Sequence, residues 1–125
     1  MRMQTGVDII EIDRVKKSIE ETNGKFCERV YTEKEREYCE SKKSQKYQHY
    51  AARFAAKEAV FKAISAGLKD KFEVSWQEIE ILNDKNGRPY VVLPQEKSQN
   101  IENIDISISH CKDYAVANTV IMFKE

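Results

Sequence analysis

The sequence has no apolar run near the roughly 20 residues that a membrane-spanning helix requires, no internal repeat and no low-complexity tract. It also lacks net charge, with 21 Lys and Arg set against 21 Asp and Glu. A protein whose main work is to coat nucleic acid would show a basic surplus, so neither nucleic acid nor membrane is an expected partner. Cysteine is scarce and unpatterned: Cys27, Cys39 and Cys111 form neither a CxxC pair nor a zinc-ligand spacing. The odd count, with no signal-peptide pattern, points to a reduced, cytoplasmic protein whose three thiols behave as small buried hydrophobes. What is present is a 125-residue chain, 41% hydrophobic, enough for one domain over 1–125 with its own core.

The chain opens with strand character over residues 2–12, followed by a helix through "RVKKSIEETN" with Asp13 as N-cap and Gly24 as its stop. "TEKE" at 32–35 fits a capping box, with Thr32 capping and Glu35 reaching back, ahead of a charged, exposed helix. The strongest helix runs from about 45 to 66, rich in alanine, with Gly67 ending it. The period then changes. "WQEIEILND" alternates as a strand, "NGRP" supplies a turn with Asn86-Gly87 at positive φ, and "YVVL" returns as a strand. "IDISISHC" and "YAVANTVIMF" follow as two strands joined near Lys112-Asp113. Helices first and an antiparallel meander second give an α+β fold: one long central helix packed on a mainly antiparallel sheet. The last strand is apolar on both faces, with Tyr114, Val116, Val120 and Met122 on one and Ala115, Ala117, Ile121 and Phe123 on the other. Both faces therefore need cover, and a second subunit is expected to supply part of it.

Three polar residues sit out of place. In "GVDIIEIDR" strand alternation puts Asp8 on the face of Ile10 and Ile12, and a carboxylate there needs a partner. Glu58 shares a helical stripe with Phe54 and Lys62, flanked by Arg53 and Lys57. A surface pair between Glu58 and Lys62, worth roughly a few tenths of a kcal/mol, is the plain reading. His110 shares a face with Ile106 and Ile108, where most histidines are ordinary core residues. Taken together they say more. Two carboxylates withdrawn from solvent repel unless a cation lies between them. Mg²⁺ takes one or two carboxylates and completes its shell with water and substrate phosphates. Lys62, Arg53 and His110 are then cations for phosphate oxygens, which suggests phosphoryl or nucleotidyl-type chemistry.

"GVDIIEIDR", "RFAAKEAVFKA" and "ISISHCKDYAVA", in this order along essentially the whole chain, resemble the small, single-domain group of the 4′-phosphopantetheinyl transferase family. "GRP" at 87–89 and the "YT" before "EKE" also fit. The resemblance implies that family's fold and a Mg²⁺-dependent transfer of 4′-phosphopantetheine from coenzyme A to a serine of apo-acyl carrier protein. Adenosine 3′,5′-bisphosphate is the other product, and the setting is fatty acid biosynthesis. It also implies a homotrimer with active sites between subunits.

By matching position, the resemblance makes Asp8 and Glu58 the metal ligands and sets Lys62 on the same phosphates. Arg53 and His110 are expected on phosphates, the 3′-phosphate of coenzyme A among them, with Ser109 beside them and Gly87 and Pro89 as a lip under adenine. Glu58, or a metal-bound water steered by a carboxylate such as Glu35, takes the serine proton. Arg14 matches the family motif as a contact for the acidic carrier protein, and charge alone adds Lys16 and Lys17. Two rivals stand against this reading: a phosphohydrolase, which generally wants more clustered carboxylates and histidines, and a trimeric carrier-protein adaptor without catalysis.

Overall fold

The computed structural model describes residues 2–65 and 74–125. In chain order the elements are β1 (Arg2–Glu11), α1 (Ile12–Glu21), α2 (Lys25–Val30), α3 (Glu33–Glu40), α4 (Lys46–Ser65), β2 (Glu80–Asn83), β3 (Pro89–Val92), β4 (Ile101–His110) and β5 (Tyr114–Phe123). Short 3₁₀ turns sit at Lys43–Gln45, Trp76–Glu78 and Gln95–Lys97. The α+β class holds, but the sheet is not one meander. β1 crosses from the start of the chain to pair antiparallel with β5, giving the order β1-β5-β4, while β2 and β3 form a separate hairpin.

The long helix α4 is the centre of the core. Its alanines Ala51, Ala52, Ala55, Ala56, Ala59 and Ala63 are all buried. Small side chains let a helix carry neighbours on several sides, so α4 packs on β1 and β5 and also against α1 and α3. Ala115, Ala117, Thr119, Ile121 and Phe123 of β5 face it, as alternation requires. The Gly67 stop expected for this helix lies outside the described residues.

Gly6 fixes how close β1 comes to α4. A Cβ built there would lie 1.9 Å from the Ala59 carbonyl oxygen and 3.0 Å from the Ala63 nitrogen. The obstacle is helix backbone, which cannot rotate away. Gly6→Ala is therefore expected to push β1 off α4 and cost about 2 kcal/mol, read by urea unfolding. A wild-type midpoint would show that the two elements part freely.

Local chemistry moved several expected boundaries. β1 stops at Glu11, because Ile12 turns into the core and its N–H donates to the Asp113 carbonyl at 2.8 Å. Glu11, not Asp13, takes the N-cap position, without a side-chain bond. Asp13 sits in the first turn, where a negative charge favours the helix dipole. That helix ends at Glu21, ahead of Gly24, which adopts φ 85° at the start of α2. The Thr32–Glu35 capping box is present. Its helix is only partly exposed, since Glu35 and Cys39 are fully buried. In "SWQE" the Ser75–Glu78 capping box folds residues 76–78 into a 3₁₀ turn, leaving only Glu80–Asn83 as strand. In the β2–β3 turn Gly87 alone takes positive φ. Cys27 and Cys39 are buried, but Cys111 is exposed in the β4–β5 turn, so only two of the three thiols pack as hydrophobes.

Candidate active site

The close approach at Gly6 has a direct consequence two residues along. Asp8 lies on the same face of β1 and pairs in register with Ala117 of β5. Its carboxylate is brought against α4. Lys62 reaches across, its Nζ donating to the Val7 carbonyl at 3.0 Å and to Asp8 Oδ1 at 3.1 Å. The i,i+4 surface pair of Lys62 with Glu58 is therefore not the one formed, and Glu58 has no ion pair among the described residues. Burial raises the Glu58 carboxyl above its usual range, the Asp8 charge pushes in the same direction, and Lys62 opposes both. Two neighbouring carboxylates, the charge of Asp8 opposing ionisation of Glu58, with one lysine beside them, form a cation-seeking cluster.

Glu58 also faces a cleft of about 440 Å³ lined by Phe61, Val74, Trp76 and Ile79. Lys57, on the rim of that cleft, points inward. Its Nζ is fully buried and pairs with Glu35 Oε1 at 2.6 Å. It also donates to the carbonyls of Val30 at 2.6 Å and Trp76 at 2.9 Å. Burial lowers the Lys57 pKa, and the Glu35 charge opposes the change. Glu35 accepts two further bonds, from Thr32 N and Ile81 N, both at 2.8 Å. Every oxygen of Glu35 is thus engaged in the interior. That removes it as the carboxylate that would steer a water onto the substrate.

A second concavity of about 300 Å³ gathers the other expected residues: Arg53, Gly87, Pro89 and His110 line it. Sequence reading missed Tyr38, His49, Asn83 and Arg88, which line it too. His49 was legible in principle, because it stands four residues before Arg53 on one face of the same helix. Arg53 is only 3% exposed. Its guanidinium lies 4.0 Å over the Tyr38 ring and bonds Asn83 Oδ1, while its buried Nε has no hydrogen-bond partner among the described residues. His110 is not a core residue. It is exposed at the end of β4, its ring 6.0 Å from that of His49. Ser109, paired in register with Val116, does not line the groove, although Ser107 two residues before it does.

The two clusters are not one pocket of one chain. Arg53 and Glu58 are five residues apart on a helix of 3.6 residues per turn, so they project about 140° apart, whereas Glu58 and Lys62 project about 40° apart. Away from both, Arg14, Lys16 and Lys17 are exposed on α1. Lys17 pairs with Asp13 at 3.2 Å and Lys16 lies 5.5 Å over the Tyr47 ring. No ion pair engages Arg14 among the described residues.

Known proteins resemble this chain in sequence and in fold. Residues 4–119 match the model of the 4′-phosphopantetheinyl transferase superfamily. A holo-[acyl-carrier-protein] synthase of Ruminiclostridium cellulolyticum is 50% identical over 97% of this chain and 92% of its own. One from Chloroherpeton thalassium is 45% identical over 95% and 97%. Among solved structures, the Bacillus anthracis holo-(acyl-carrier-protein) synthase in complex with CoA (3′,5′-ADP) superposes with TM-score 0.80 at 36% identity, covering 99% of this chain and 100% of that one. The Helicobacter pylori enzyme in complex with coenzyme A gives 0.83 at 32% identity, with 94% and 99% covered.

Proposed function

The chain belongs to the 4′-phosphopantetheinyl transferase superfamily, and from that membership we infer how its residues carry the reaction. The protein is an enzyme with holo-[acyl-carrier-protein] synthase activity. It transfers 4′-phosphopantetheine from coenzyme A to a serine of apo-acyl carrier protein and releases adenosine 3′,5′-bisphosphate. The serine oxygen bonds to the phosphorus next to pantetheine, the bridging P–O bond breaks, and the serine proton passes to a base.

The observation that carries the site assignment is the meeting of Asp8, Glu58 and Lys62 where β1 crosses α4. Asp8 and Glu58 fit a hard divalent ion: both offer oxygen, and a cation between them would offset the burial and the Asp8 charge that disfavour the ionised form of Glu58. Among the described residues no third His, Cys, Asp or Glu joins them, which leaves room for phosphate oxygens and water. A magnesium ion held there supplies positive charge to the diphosphate. Lys62 sits beside Asp8 with half its side chain exposed, free to place its ammonium on the departing phosphate. With Glu35 committed to Lys57, Glu58 is the carboxylate left to receive the serine proton. The apolar cleft beside Glu58, walled by Trp76 and Phe61, suits the pantetheine arm.

The groove of Arg53 and His110, with Gly87 and Pro89 at its lip, suits the nucleotide end of coenzyme A. Because that groove and the carboxylate pair face different ways on α4, a complete site draws on two copies. The outer sheet face supports this: Met3, Val7 and Ile9 of β1 are 57%, 57% and 64% exposed, and Tyr114 joins them from β5. We assign a homotrimer closed over this face. Light scattering should give three times the 14.6 kDa chain mass, and a monomer mass would reject it. Among the described residues no helix is long and apolar enough to cross a membrane, and three free thiols suit a reducing cytoplasm.

The activity is tested by incubating the chain with coenzyme A, Mg²⁺ and apo-carrier protein and weighing the carrier. A gain of one phosphopantetheine supports transfer. Free phosphate would mark a hydrolase, and no change an adaptor. Arg14, exposed and in no ion pair among the described residues, is the residue on α1 best placed to meet an acidic carrier. Arg14→Glu should raise KM for the carrier protein about tenfold and leave coenzyme A binding as it was. An equal loss toward coenzyme A would remove Arg14 from the docking surface.

A further inference from the structure

His49 is absent from the site as sequence reading drew it, yet it lines the Arg53 groove. Its ring packs edge-on to Tyr38 of α3 at 5.5 Å and faces His110 of β4 at 6.0 Å. Arg53 lies one helical turn along α4, its guanidinium over the same Tyr38 ring, with a buried Nε that has no hydrogen-bond partner among the described residues. Among the described residues none that lines the groove is acidic, and Arg88, also in its lining, pairs with Asp105 at 3.5 Å. The charged and titratable groups facing His49 are Lys42 at the end of α3, Arg53 on its own helix and His110 across the groove. All are cationic or able to become so.

Burial and these three neighbours hold His49 below its ordinary pKa. A histidine kept neutral by surrounding positive charge gains a proton when a dianion enters and reverses the field. A singly charged phosphodiester oxygen would do so weakly. A terminal phosphate monoester, with about two negative charges and three acceptor oxygens, would do so strongly. We propose that His49 is a further phosphate-binding residue of this groove, reading a terminal phosphate monoester together with Arg53. Under the reading above, on which this rests, that group is the 3′-phosphate of coenzyme A. His49 then acts as a specificity determinant between coenzyme A and its 3′-dephospho form.

Steady-state kinetics on the full chain, with Mg²⁺ and apo-carrier protein, test this using coenzyme A and 3′-dephospho-coenzyme A as donors. His49→Phe keeps a ring against Tyr38 and His110. It should raise KM for coenzyme A about tenfold, the loss of one charge-assisted hydrogen bond, and change KM for the dephospho form less than twofold, with the effect on KM rather than kcat. In the unsubstituted enzyme the preference for coenzyme A should grow from pH 8 to pH 6.5, because proton uptake at His49 accompanies binding. In His49→Phe that growth should shrink to what the phosphate's own titration gives. His49→Gln, which restores a donor but not a charge, should recover part of the affinity. Equal KM increases for both donors, or an unchanged pH trend in His49→Phe, would make His49 a packing residue and overturn the proposal. Arg53→Lys serves as a separate control. If it leaves KM for coenzyme A unchanged, the groove does not hold the nucleotide end, and the reading falls together with the role given to His49.

Discussion

Glu58→Gln should cut transfer by about 10² to 10³-fold, the usual cost of removing one preorganised charged group from a phosphoryl-transfer site. The substitution keeps shape and volume and deletes the negative charge. In the free protein that charge is a liability: burial and Asp8 both oppose it, and no ion pair engages it among the described residues. Stability should therefore stay level or rise slightly, as happens when a functional carboxylate is neutralised. Single-turnover mass spectrometry of the carrier, beside a thermal melt, separates the two effects. Full activity would mean that Glu58 neither holds a cation nor takes a proton. Lost activity with a collapsed melt would make it a structural residue.

Lys57, the residue just before it on α4, should behave in the opposite way. Lys57→Met is expected to cost about 3–5 kcal/mol in urea unfolding, because removing one partner of a buried pair leaves the other charged and uncompensated. Glu35 would lose its ion pair and keep only the Thr32 and Ile81 N–H bonds. The carbonyls of Val30 and Trp76 would lose their donor as well. Those three partners come from α3, α2 and the turn before β2, so one ammonium pins three segments to α4. A loss of this size is a large share of the roughly 5–15 kcal/mol that holds a domain together. Adding Glu35→Gln should recover part of it, since the orphaned charge is then gone. A single-variant cost under about 1 kcal/mol would show that water replaces the ammonium.

The adjacent pair Lys57 and Glu58 shows what a sequence can and cannot disclose. Strand alternation at Asp8 and helical spacing at Glu58 and Lys62 were legible, because each depends on a local period. That Lys62 would bond across to Asp8 instead of along the helix to Glu58 was not, since it depends on Gly6 letting β1 touch α4. The Thr32–Glu35 capping box was equally legible. The second duty of Glu35, as the buried partner of Lys57, was not, because the two residues meet only after α3 folds over α4. The competing capping box in "SWQE" was present in the sequence and outweighed the alternation around it. Ser109 was placed beside His110 in the groove, whose lining takes in Ser107 on the same face of β4 but not Ser109. His49, Tyr38 and Arg88 meet only in three dimensions, from α4, α3 and the β2–β3 turn.

Anomalous diffraction from crystals grown with Mn²⁺ and coenzyme A tests the central claim most directly. One Mn²⁺ peak bridging the carboxylates of Asp8 and Glu58 and touching the diphosphate is the expected result. A peak bound elsewhere, or a diphosphate seated away from both carboxylates, would contradict it.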